Sequence, residues 1–168
     1  MRNIAMTSNE LQKLVTDTLH FRRLNPDASS LQTNLAGKEL ERQPADAMPV
    51  IEQVLQNEVS PYFSGSDENP FHGLSNLLGA YMLIGSRHDV CRSVEFLRTL
   101  PPTLKAHAVA LVPVFFRKKS KFRPQEKETN EQKRFPDERL LSFVMESTQS
   151  ANPTVQDNAK WVMSFYDL

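Results

Sequence analysis

A chain of 168 residues is the usual length of one domain and is enough to bury roughly 70% of the surface its unfolded form exposes. Its 39% apolar and 24% charged residues are ordinary for a globular protein, and no run approaches the roughly 18 uninterrupted apolar residues that a membrane span needs. Twenty basic side chains balance twenty acidic ones, and a single cysteine, Cys91, excludes an internal disulfide.

The opening stretch MRNIAMTSNELQK turns polar within a few residues and lacks the apolar core of a secretory signal, so a cytoplasmic, single-domain protein spanning residues 1–168 is expected. Apolar residues then recur at helical spacing nearly everywhere and at strand spacing almost nowhere, which predicts an all-α fold of about seven helices. Thr7 or Ser8 caps the first, whose stripe is Leu11, Leu14, Val15 and Leu19 and whose end falls near Leu24, before Asn25-Pro26. The weakly apolar stretch 27–43, interrupted by Gly37, supports only a short or irregular helix. From Pro44, Met48, Ile51, Leu55 and Val59 share a face up to Ser60-Pro61, and Pro49 is tolerable only near the start of that helix because it has no amide hydrogen.

After the turn cluster SGSDENP, Asn69-Pro70 opens a helix that is apolar on nearly every side: Phe71, Leu74, Leu78, Tyr81 and Met82 on one stripe, Leu77, Leu83 and Ile84 on others. Such a helix belongs at the centre of a core. Asp89 is positioned to cap the next, with Val90, Val94 and Leu97 inward and Cys91 among them as a small apolar group. Leu100-Pro101-Pro102 separates it from a helix carrying Leu104, Ala108, Leu111, Val112 and Phe115, in which Pro113 deprives the Val109 carbonyl of its partner. Pro136-Asp137 opens another with Leu140, Leu141, Val144 and Met145, and Asn152-Pro153 a last one with Val155, Ala159, Val162, Met163 and Tyr166.

In NPTVQDNAKWV, Pro153 follows the cap, Val155 stands three residues after it, Ala159 four later and Val162 three after that. This spacing resembles the opening of a HEAT-repeat helix; HDVCRSVEFL from His88 is similar, and AMPVIEQVL from Ala47 resembles the second helix of such a repeat. The resemblance to HEAT and armadillo proteins implies antiparallel helix pairs stacked around a continuous core, with an irregular helical bundle as the competing arrangement.

Motifs for chemistry are missing. The four histidines, His20, His72, His88 and His107, stand far apart without a second ligand at helical spacing, and no phosphate loop, dinucleotide fingerprint or nucleophile elbow occurs. The acid pairs Asp67-Glu68 and Asp137-Glu138 sit at helix entrances, where negative charge offsets the helix dipole. The expectation is therefore no catalytic residue, no cofactor, no metal, no membrane and no small-molecule substrate.

One segment stands apart. Between residues 117 and 134 eight bases face three acids, a net +5 that leaves −5 for the remainder of a neutral chain. Its first half, Arg117, Lys118, Lys119, Lys121, Phe122 and Arg123, is the candidate site for an anion or a partner. Glu126, Glu128 and Glu131 in the second half favour a flexible charged loop over about 117–135. The functional expectation is a protein-binding module that uses a helical surface, with a nucleic-acid-binding module using 117–123 as the alternative.

Overall fold

The computed structural model describes residues 6–20, 35–56, 70–115 and 137–166, with the side chains of 35 and 70–72 excepted. Every regular element among them is a helix, eight in number: α1 (Ser8–Leu19), α2 (Leu35–Leu40), α3 (Pro44–Gln56), α4 (Pro70–His88), α5 (Val90–Thr99), α6 (Pro102–Phe115), α7 (Glu138–Ser147) and α8 (Pro153–Phe165). The all-α expectation holds. These helices fall into two compact units, Met1–Asp89 and Val90–Leu168.

The first unit is built on α4, against which α1, α2 and α3 all pack. The reason lies in its sequence: Leu74, Leu77, Leu78, Ala80, Tyr81, Met82 and Ile84 are buried and spread over more than half of the helix circumference, so one neighbour cannot cover them, while Ser75, Asn76, Gly79 and Leu83 form a half-buried side. The neighbours each supply a single stripe, Leu11, Val15 and Leu19 from α1, Leu40 from α2, and Ala47, Met48, Ile51, Val54 and Leu55 from α3. Tyr81 carries a polar atom into this core and satisfies it by donating from its hydroxyl to Glu52 Oε1 at 2.8 Å.

Helix ends follow capping chemistry. Thr7, rather than Ser8, caps α1 in a reciprocal box: its Oγ1 accepts from the Glu10 amide at 3.3 Å, and Glu10 Oε2 accepts from the Thr7 amide at 2.7 Å. The helix stops earlier than the expected Leu24, with His20 as its C-cap. Pro49 departs from expectation too, since it is the sixth residue of α3 and not part of its first turn. The carbonyl it leaves without an intrahelical partner is that of Ala45, an exposed residue, so water replaces the lost bond at little cost. At the other end of this unit Arg87 Nη1 donates to both oxygens of Glu41, at 2.7 and 2.8 Å, and His88 Nε2 lies 3.4 Å from Glu41 Oε1. The Arg87 cation in the last turn of α4 also suits its negative end.

In the second unit α6 and α8 form the main contact, and α5 and α7 pack against both α6 and α7 or α8 in turn. Its core is Val94, Phe96, Leu97, Leu104, Ala108, Val109, Val112, Leu140, Phe143, Val144, Val155, Ala159 and Val162. Asn158 Nδ2 donates to the Ala106 carbonyl at 2.8 Å and so ties α8 to α6 by a polar bond as well. Cys91 corrects an expectation. It is exposed, because Phe96 widens the buried face of α5 to Ser93, Val94, Phe96 and Leu97 and turns its centre away from position 91.

Leu78→Ala opens a hole in the centre of the first unit and is expected to cost about 2–5 kcal/mol, read as a lower urea midpoint at unchanged slope. For Glu41, partial burial raises the carboxyl pKa, but the Arg87 hydrogen bonds and charge, helped by His88, outweigh it and hold the group below its ordinary 4.5. A depressed acid stabilises the fold above the unfolded value and loses that contribution as pH falls through the folded one. Glu41→Gln should therefore lower the melting temperature near about pH 7 and leave it unchanged near about pH 3, and because the pair is partly exposed the loss at neutrality is at most about 1 kcal/mol.

Candidate functional site

The residues singled out from the sequence, Arg117, Lys118, Lys119, Lys121, Phe122 and Arg123, and the loop at 117–135 that contains them, lie outside the described residues. So does the Asp67-Glu68 pair. Asp137 is described and acts as expected of a cap: its Oδ1 accepts from the Arg139 amide at 2.8 Å at the start of α7. Hydrogen bonds from the Arg139 guanidinium, above all, keep the Asp137 carboxyl below its usual range. His107 is half-buried on α6, and that burial lowers its pKa, favouring the neutral imidazole. Among the described residues no group of three or more His, Cys, Asp or Glu side chains is placed to hold a metal ion.

Two features of the second unit stand out from its surface. The first is a row along α8. Asn152 caps this helix by accepting from the Val155 amide at 3.1 Å, and Pro153 occupies the first position, where a missing amide hydrogen costs nothing. Val155, Ala159 and Val162, all fully buried, then fix which side of α8 faces the core. Trp161, the only tryptophan of the chain, consequently lies off that side and is 54% exposed. Phe165 braces it, with ring centroids 6.0 Å apart, and Phe165 in turn meets Tyr166 edge-on at 5.0 Å. Asn158, Trp161 and Phe165 follow the i, i+3, i+7 line of the helix, and at Asn158 that line touches α6.

The second feature is a half-open groove of about 190 Å³ lined by Arg98 of α5, Lys105 of α6, Phe143, Glu146 and Ser147 of α7, and Ser150 just beyond it. Arg98 is held by two carboxylates. Its Nε donates to Glu146 Oε2 at 3.0 Å, its Nη2 to Oε1 at 3.2 Å, and its Nη1 pairs with Glu95. Glu146 Oε1 also accepts from Ser142 Oγ at 2.9 Å. These hydrogen bonds, first from Arg98 and then from Ser142, hold the Glu146 carboxyl below its usual range, with the charge of Lys105 contributing. Ser147 Oγ donates to the Phe143 carbonyl at 2.8 Å, and Ser150 Oγ accepts from the Asn152 amide at 3.2 Å. Lys105 forms no hydrogen bond from its ammonium and no ion pair with any described residue.

No helix among the described residues is long and apolar enough to cross a membrane. Comparison with protein-family models, with curated proteins and with solved structures returned no match.

Neither feature was singled out from the sequence. Trp161 is flanked by Lys160 and Val162, and only the knowledge that Val155, Ala159 and Val162 point inward tells that position 161 does not. That signal was available from the spacing. The groove draws on three helices, and no local pattern announces it. Because α8 presents the aromatic row, loosening its start is a direct probe of the framework: Asn152→Ala should cost about 1 kcal/mol in urea unfolding, whereas Asn152→Asp or Asn152→Ser should restore most of it.

Proposed function

We propose that the chain is a non-catalytic, HEAT-like helical module of the cytoplasm that binds another protein, and that the row at Trp161 and Phe165 is its principal contact. The observation that carries this reading is the half-exposed indole of Trp161, held in place by Phe165 on a helix whose opposite side is fully buried. Tryptophan is the residue most often found to dominate protein interfaces, and a pre-oriented ring loses little side-chain entropy on binding. Covering the exposed half of an indole removes on the order of 120 Å² from water, about 3 kcal/mol or roughly a hundredfold in affinity. The buried positions of Val155, Ala159 and Val162 support the repeat-like reading of α8, since those are the positions of the resemblance.

The test is a comparison of three forms of the full chain as baits in an extract of the source cell: unaltered, Trp161→Ala, and lacking 117–134. A protein retained by the unaltered and shortened baits and lost by Trp161→Ala is the expected result. With that protein purified, emission from the lone tryptophan should shift to the blue as the complex forms. Identical retention by Trp161→Ala removes the row as the contact. Retention that disappears with nuclease, and with loss of 117–134, replaces this reading by the nucleic-acid one centred on Arg117 to Arg123.

A further inference from the structure

We infer that the groove between Arg98, Lys105, Phe143, Glu146, Ser147 and Ser150 seats the carboxylate side chain of an acidic residue presented by the partner polypeptide, with the Lys105 ammonium as its counter-ion. This rests on the reading of the chain as a protein-binding module, but on different atoms. Size decides first. At about 190 Å³ the groove is smaller than the roughly 300–1,000 Å³ of sites that enclose metabolites or cofactors, and it is open on one side, which suits one side chain entering from outside.

Charge decides next. Arg98 has three of its five guanidinium N–H groups committed to Glu95 and Glu146, which already offset its charge. The Lys105 ammonium has no hydrogen bond or ion pair to a described residue and only the field of Glu146 acts on it, so it is the cation with donors to spare for an anion. The Ser150 hydroxyl already accepts from the Asn152 amide, and its hydrogen remains to be donated. Below them the Phe143 ring, almost wholly buried, provides an apolar floor for the methylene stem of a glutamate. That floor separates the two kinds of anion: a glutamate brings a stem to lie on the Phe143 ring, whereas inorganic phosphate has none, and the Glu146 carboxylate and the Lys105 ammonium act on either in proportion to its charge.

The experiment is a titration of the isotopically labelled full chain, following amide shifts at Arg98, Lys105, Glu146, Ser147 and Ser150, with three probes: end-blocked Ala-Glu-Ala, end-blocked Ala-Gln-Ala, and inorganic phosphate. Saturable shifts with the glutamate peptide are expected, weaker by about tenfold or more with the glutamine peptide and in Lys105→Met, and retained within about threefold in Lys105→Arg. Equal response to the two peptides, an unaffected Lys105→Met, or no response at all overturns the inference, and tighter binding of phosphate than of the glutamate peptide overturns the carboxylate assignment. Lys105→Arg keeps the charge and the fold, so loss of binding in that variant as well would show that charge is not what the groove reads. Trp161→Ala should leave these titrations unchanged, so a silent groove leaves the aromatic row standing and a failed capture through Trp161 leaves the groove standing.

Discussion

This protein depends on the burial of the apolar faces of its helices, because all of the described ones except α4 are too short to persist alone. The longest described, α4, has 19 residues and α2 only six, and isolated helices below about 12–15 residues are marginal in water. With one cysteine in the chain, no internal disulfide supplements that burial. Two solutions result. Around α4, three singly striped helices cover one whose buried face takes in more than half of its circumference; in the second unit four helices with comparable stripes cover one another, and α6 with α8 forms the broadest contact. The first arrangement tolerates little change at α4, whose residues touch every neighbour, while the second shares the load.

Electrostatics plays a secondary part and operates at the ends. Thr7, Asp137 and Asn152 each turn a side-chain oxygen toward an otherwise unpaired amide, and Arg87 with His88 meets Glu41 where α4 terminates. These contacts are partly or wholly exposed, so each contributes little to stability. What they fix is where helices begin and stop. The rotation of each helix is set instead by burial of its apolar stripe. In α8 the Asn152 cap fixes the start, while burial of Val155, Ala159 and Val162 fixes the inward side and leaves Trp161 outside.

Much of this was legible in the sequence. Helical spacing and cap residues identified the elements, and the all-round apolar stretch from Leu74 to Ile84 marked the centre of the first unit. The failures have physical causes. Position 91 was assigned to the core from Val90, Val94 and Leu97, but Phe96 is larger than any of them and shifts the buried face toward itself. Pro49 was confined to a first turn by its missing hydrogen bond, yet the cost falls on an exposed carbonyl that water can serve. Arg98, Lys105 and Glu146 could not have been grouped in advance, since they are brought together by packing among α5, α6 and α7 rather than by spacing. The basic run from Arg117 drew attention because charge density is a local property, and cooperative sites are not.

The surface of the second unit departs in places from the rule that the interior otherwise obeys. Trp161, like Val114 and Met145, is a large apolar group left half or more in water, and Lys105 is a cation placed in a groove where the neighbouring cation is already paired. In a consistent sequence such departures concentrate where a fold is shaped by something other than its own stability. Their physics is complementary. An exposed indole contributes affinity without direction, because dispersion and the hydrophobic effect accept any apolar surface of the right shape. A charge in a groove that admits one side chain contributes direction with little affinity, because desolvation offsets most of the attraction. On the proposed reading, the two kinds of contact together select a partner by where an acid lies relative to an apolar patch, which neither contact achieves by itself.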